Sequence, residues 1–272
     1  MRVNRRTAIA SGAALVGSVL TGAVVGEYEG NTSPRPPDPP SDTAVSRGTL
    51  LSGSDRETTY FEIGDRTDGP SGVVLGGVHG DEVNGYRAAE RIVEWDLDHG
   101  SLVVVPWADI AAIRSGTRQG PDGDLNRKFP AGERPETELA RELWGLVVDS
   151  EPDVVVDLHR SRGIFRTHPR WVGQAIFPTA AGDARTEAGA VVRRMNDGAV
   201  PRTMRFHRFS VGNTLSGGNP MLVHKAGADL GTPGYIVELT EFLLNLDTQI
   251  RWTERIAELL FARHGIERTE GA

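Results

Sequence analysis

The stretch Val73-Val74-Leu75-Gly76-Gly77-Val78-His79-Gly80-Asp81-Glu82 decides how the rest of the chain is read. Three consecutive apolar residues closed by a glycine pair describe a buried strand running into a loop. That loop carries an imidazole and a carboxylate three positions apart. Residues 83–97 then show helical spacing, with Ala88, Ala89, Ile92 and Val93 on one side. A buried strand, a polar loop and an amphipathic helix in succession form the unit from which α/β sheets are built.

The same pattern recurs in both directions. Residues 102–105, 153–158 and 235–239 read as further buried strands, and residues 136–148, 184–196 and 246–263 as helices. Residues 48–52 and 58–63 alternate apolar and polar side chains, as edge strands do. Residues 115–134 are polar and glycine-rich, and read as a long loop. The expected fold is an α/β, three-layer α/β/α sandwich around a mixed, mostly parallel sheet. In such sheets ligands collect where loops leave the carboxyl ends of the strands.

Composition narrows the chemistry. The 272 residues contain no cysteine, which removes disulfides, thiolate metal sites and thiol nucleophiles together. Any metal must be held by nitrogen and oxygen. The formal net charge is −7, and the 30 basic residues include only two lysines, Lys128 and Lys225. No basic stripe stands out, so a nucleic-acid partner is not expected. An acidic, lysine-poor composition fits a halophilic source, and arginine in place of lysine fits a GC-rich genome equally well.

Residues 1–26 place Arg2, Arg5 and Arg6 before an uncharged run, the layout of an export signal. The pair Arg5-Arg6 followed by Thr7 predicts a twin-arginine-type leader and an exported, cell-envelope or extracellular protein. Membrane contact is expected only through that leader, if it stays uncleaved. Residues 27–45 hold five prolines between Pro34 and Pro40 and read as an extended spacer. The folded catalytic domain is expected over residues 46–272.

Charged and imidazole side chains cluster at three predicted strand ends: His79 with Glu82, Asp157 with His159, and Glu238. Two histidines and a carboxylate form a catalytic zinc set with the fourth position left for water. His79, Glu82 and His159 are the candidate ligands of one zinc ion, and Asp157 can orient a ligand from behind. A separate carboxylate must then move the water's proton. Glu238, inside an apolar strand, is the candidate, with Glu241 as competitor. The loop contains Arg118, Asn126 and Arg127, suited to gripping a carboxylate or an oxyanion.

The order of His79-Gly-Asp-Glu82, Asp124-Leu-Asn126-Arg127-Lys-Phe129-Pro130, Asp157-Leu-His159 and Val237-Glu238-Leu resembles the succinylglutamate desuccinylase/aspartoacylase family, within the zinc-carboxypeptidase-like hydrolases. The resemblance covers about residues 70–240. It implies one zinc ion on His79, Glu82 and His159, and Glu238 as general base and acid. It further implies a substrate carboxylate on Asn126 and Arg127, with Arg118 polarising the scissile carbonyl. Family members commonly carry a β-rich domain after the glutamate; here residues 239–272 read as a helix, so a minimal catalytic domain is expected. Extra arginines at 160, 162, 166 and 170 would suit a dianionic substrate or form ordinary surface. The expected activity is hydrolysis of an amide next to a carboxylate, as in an N-acyl-amino-acid deacylase. The alternatives are a zinc carboxypeptidase acting on peptide C-termini and a catalytically silent envelope protein that binds zinc or a carboxylate.

Overall fold

A computed structural model describes residues 45–67, 69–216 and 218–269. The expected leader over residues 1–26 and all but Val45 of the expected spacer lie outside the described residues. Among the described residues no helix is long and apolar enough to cross a membrane.

Among the described residues ten strands form, in order, β1 (Ser46–Leu50), β2 (Thr58–Gly64), β3 (Ser71–Gly76), β4 (Leu97–His99), β5 (Ser101–Val105), β6 (Val154–Ser161), β7 (Ala175–Pro178), β8 (Ser210–Val211), β9 (Gly234–Thr240) and β10 (Glu267–Arg268). Eight of them make one sheet in the order β1-β2-β5-β3-β6-β9-β7-β8. The centre, β5-β3-β6-β9, is parallel throughout, whereas β1-β2, β2-β5 and β7-β9 are antiparallel. The mixed, mostly parallel sheet is therefore present.

Among the described residues six α-helices accompany it: α1 (Val83–Val93), α2 (Ile110–Ser115), α3 (Glu138–Ser150), α4 (Ala184–Gly198), α5 (Leu222–Lys225) and α6 (Leu246–Arg263). Because side chains alternate along a strand, the sheet sorts its apolar residues into two cores. Val74, Val104, Val156 and Val237 pack with α1, α4 and α6 on one face. Val73, Val105, Val155 and Ile236 pack with α3 and α5 on the other. These are the three layers expected from the sequence.

Local chemistry sets the boundaries. Thr137 and Asn245 cap α3 and α6 by accepting from the backbone N–H groups of Ala140 and Thr248, each cap contributing about 1 kcal/mol. The helix read over residues 83–97 ends at Val93; Leu97 enters β4, whose partner β10 lies at the far end of the sequence. That pairing is invisible to local periodicity. Glycine decides one contact: a Cβ at Gly85 would lie 2.3 Å from the Leu158 carbonyl oxygen, so only glycine lets α1 sit this close to β6.

The polar loop between α2 and α3 is also pinned. Lys225, buried at the end of α5, donates to Pro130 O at 3.0 Å, Glu133 O at 2.7 Å and Asp229 Oδ2 at 2.5 Å. Its ammonium lies 4.7 Å from the Trp144 ring centroid. Asp229, in the π-helical turn that continues α5 (Ala226–Leu230), also accepts from the Gly132 N–H at 2.8 Å.

Candidate active site

The carboxyl ends of β3, β6 and β9 meet at one edge, and strand register places the functional groups there. His159 on β6 pairs directly with Glu238 on β9. Both belong to the face that carries Val155 and Ile236, so their side chains rise on the same side. Glu82 is the N-cap residue of α1, yet its side chain makes no capping bond. It turns to the histidines instead.

His79 Nδ1 lies 2.9 Å from Glu82 Oε1, and His159 Nδ1 lies 2.8 Å from Glu82 Oε2. All three residues are buried, and each offers a ligand atom within 4.8 Å of the other two. Among the described residues no other group of histidine and acidic side chains is placed to hold a metal. The other five histidines of the chain stay outside it.

Behind each imidazole stands a second carboxylate. Asp124 Oδ1 is 3.1 Å from His79 Nε2, and Asp157 Oδ2 is 2.8 Å from His159 Nε2. The Asp157 contact is out of line for a hydrogen bond, which leaves both of its buried oxygens without one. Burial alone would lower the pKa of His159, but Asp157 and Glu82 outweigh it and raise it well above the usual imidazole value. Hydrogen bonds to Asp124 and Glu82 raise His79 against burial in the same way. Burial would raise Glu82, but the two histidines hold it well below the usual carboxylate range. The site thus stabilises positive charge among buried carboxylates, and the His/Glu/His donor set fits a zinc ion.

Glu238 is half-buried, and its Oε2 is buried without a hydrogen-bond partner. Burial, reinforced by Glu82 and opposed by His159, pushes its carboxyl up to about 7. Glu241 faces outward and pairs with Arg160 at 3.5 Å. Of the two candidate bases, the one inside the strand has the environment that proton transfer requires.

The three residues of the loop between α2 and α3 divide. Asn126 is buried in a 3-10 turn (Leu125–Arg127), with Nδ2 3.4 Å from His159 Nε2 and an unpartnered Oδ1. Arg127 holds its guanidinium on the Asn126 carbonyl at 2.7 Å. Arg118 donates to Glu82 Oε1 at 2.6 Å, with its side chain 48% exposed. Two contributors carried no role in the sequence reading. Asp124, quoted within the motif, supports His79 and caps the turn by accepting from Asn126 N at 3.0 Å; an Asp within a polar, glycine-rich stretch is the sequence sign of such a turn. Asn84 is fully buried and donates to the His159 carbonyl at 3.2 Å. No sequence signal marks it.

The catalytic region of the carboxypeptidases controlling helical cell shape matches residues 50–195. The chain belongs to this family. The cell-shape carboxypeptidase match includes His79, Glu82, Arg118, Asn126, Arg127 and His159, and agrees with the zinc-carboxypeptidase-like resemblance. The product-bound cell shape determinant protein of Helicobacter pylori superposes with a TM-score of 0.65 at 18% identity, over 85% of this chain and 57% of that one. A succinylglutamate desuccinylase from Silicibacter superposes with a TM-score of 0.58 at 20% identity, over 87% of this chain and 71% of that one. In sequence, 100 residues are 33% identical to the N-alpha-acetyl-L-2,4-diaminobutyric acid deacetylase of Halomonas elongata. That stretch is 35% of this chain and 29% of the relative. The chain therefore matches under a third of the curated relative and little over half of the cell shape determinant; at these identities the superpositions establish the fold.

Proposed function

We propose that the chain is a zinc-dependent hydrolase that cleaves an amide bond next to a free carboxylate, acting as a carboxypeptidase on peptide ends. The observation that carries this reading is the convergence of His79, Glu82 and His159, in a chain of the cell-shape carboxypeptidase family, beside a half-buried glutamate with a raised pKa. The N-acyl-amino-acid deacylase expected first becomes the second reading, supported by the 33% identity to a deacetylase. Both reactions present a carboxylate and an amide to the same residues.

His79 Nδ1, His159 Nδ1 and Glu82 would hold the zinc ion. Bound there, zinc supplies Lewis-acid polarisation and lowers the pKa of water. Glu238 takes the water's proton and passes it to the leaving amine, a transfer suited to a carboxyl pushed up to about 7. Arg127 and Asn126 receive the substrate carboxylate, the arginine through two parallel hydrogen bonds. Arg118 supports the developing oxyanion by leaving Glu82 for the carbonyl oxygen. Asp124 and Asp157 fix the ring orientation of the two histidines. The leader reading supports export, with catalysis outside the cytoplasm.

The test is hydrolysis by purified, zinc-loaded protein of short peptides and acyl-amino acids, with and without a chelator. Turnover lost on chelation and restored by zinc is expected. Failure to cleave either class sinks the hydrolase reading. Cleavage of acyl-amino acids alone moves the assignment to the deacylase.

A further inference from the structure

Acidic residues are distributed unevenly. Although the chain has 37 of them, residues 158–182 and residues 198–228 contain none. The fold brings parts of both stretches to one edge. The loop after β6 leaves three residues beyond His159 and returns as β7, whose Ala175 pairs with Glu238 and with Ser210 of β8. The segment before β8 reaches that edge from the other side. Gln174 joins them, donating to the His207 carbonyl at 2.9 Å and accepting from the Thr240 N–H at 3.0 Å.

The edge thereby carries Arg162, Arg166, Arg170, Arg202, Arg205 and Arg208, all exposed. Among the described residues none of the six makes an ion pair, whereas Arg251, Arg255 and Arg263, on α6, each contact a carboxylate. The β6–β7 loop is nevertheless built. Ser161 Oγ donates to Gly163 O and accepts from Val172 N at 3.0 Å, and Phe165 N donates to Gly173 O at 2.8 Å. Trp171 lies over Gly163, where a Cβ would fall 2.2 Å from the indole, and His168 stacks on Trp171 at 5.1 Å. Arg166 lies over the Phe165 ring at 5.0 Å. Ordering like-charged side chains without counter-charges is unfavourable unless an anion is met there.

We propose that this rim is a subsite for an acidic peptide, so that the substrate is the end of a chain carrying further carboxylates beyond the cleaved bond. This rests on the hydrolase reading above. The register gives the reach: Ser210 lies two strands from Glu238, and Arg162 three residues beyond His159, each about 10 Å away. An extended peptide covers that distance in about three residues. A flat anionic lipid surface is disfavoured, because docking on this edge would cover the strand ends where His159 and Glu238 lie.

The experiment uses two fluorescent hexapeptides with the same C-terminal residue, one with glutamates and its twin with glutamines at the three positions farthest from the C-terminus. Binding is measured by anisotropy at low and high salt, and turnover alongside, for the full chain and for the triple variant Arg162→Gln/Arg166→Gln/Arg208→Gln. About tenfold tighter binding of the glutamate peptide is expected at low salt, shrinking with added salt. The triple variant should lose that preference while cleaving a short acyl-amino acid or dipeptide as before. Salt-sensitive binding lost in the variant upholds the subsite even if nothing is hydrolysed, in which case the hydrolase reading alone falls. Equal binding of the two peptides, or an unchanged preference in the variant, overturns the inference. So does rim-dependent retention on phosphatidylglycerol vesicles without discrimination between the peptides.

Discussion

Replacing Lys225 by methionine tests whether the loop between α2 and α3 is held from below by one buried cation. The side chains have similar length, so the change removes the ammonium with little change in volume. Two backbone carbonyls, of Pro130 and Glu133, lose their donor, and Asp229 loses its counter-charge. An unmet polar partner costs about 1 kcal/mol at the low end, and an unpaired carboxylate about 1–2 kcal/mol more. Asp229 keeps 21% of its side chain exposed and its bond from Gly132, so water relieves part of its loss. The total comes to about 3 kcal/mol, or a Tm about 6–12 °C lower for a domain of this size. Because Asn126 and Arg127 sit on the same loop, KM should rise about three- to tenfold with kcat within twofold, on the reading that they bind substrate. Asp229→Asn, which keeps the Gly132 contact, should cost about 1 kcal/mol. Thermal unfolding followed by circular dichroism gives the first number and steady-state kinetics the second. A Lys225→Met protein melting within 2 °C of the parent would refute the anchoring role, an interval well inside the expected shift.

Further outcomes follow from the same geometry. Gly85→Ala forces α1 away from β6 against the Leu158 carbonyl, and should reduce zinc content at equal protein concentration along with Tm; unchanged zinc stoichiometry would show that the contact does not set the position of Glu82. His79→Ala should abolish zinc binding, measured by elemental analysis, whereas Arg127→Ala should raise KM and leave zinc in place. Glu238→Gln should lower kcat about 10²–10⁴-fold while retaining zinc and substrate binding, the range for loss of a general base; near-normal turnover would move the role to Glu241. Burial lowers the pKa of His264, whose Nε2 lies 2.8 Å from the Tyr235 hydroxyl. A depressed imidazole contributes stability above its unfolded pKa of about 6.5 and loses it as pH falls below that value. His264→Gln should therefore flatten the loss of Tm between pH 8 and pH 5, and an unchanged acid slope would assign that loss elsewhere.

The central strands and the large helices were legible because apolar runs and helical spacing are local properties. Val73 to Leu75 and Ala88 to Val93 carry their own signal. Partners distant in sequence carry none: β4 exists because β10 meets it, and β7 is four residues of a strand defined by its neighbours on β9 and β8. The histidines and Glu82 could be read because few chemistries need those types at strand ends. Asn84 could not, since a fully buried asparagine on a helix has meaning only when Leu158 and His159 are already beside it. The contact of Arg118 with Glu82 could not be read either, since it joins a guanidinium and a carboxylate far apart in sequence.

The pairing of His159 with Glu238 has a consequence for how the protein matures. These residues come together only when β6 and β9, separated by two strands and two helices in the chain, zip in one register. A slip by one residue would turn Glu238 to the opposite face of the sheet. Contacts spanning so much sequence close slowly during folding. The candidate zinc ligands His79, Glu82 and His159 span as much sequence as His159 and Glu238, so ligands and candidate base come together only when β3, β6 and β9 are all in register, and zinc binding and activity should return together when the unfolded chain is brought back to native conditions.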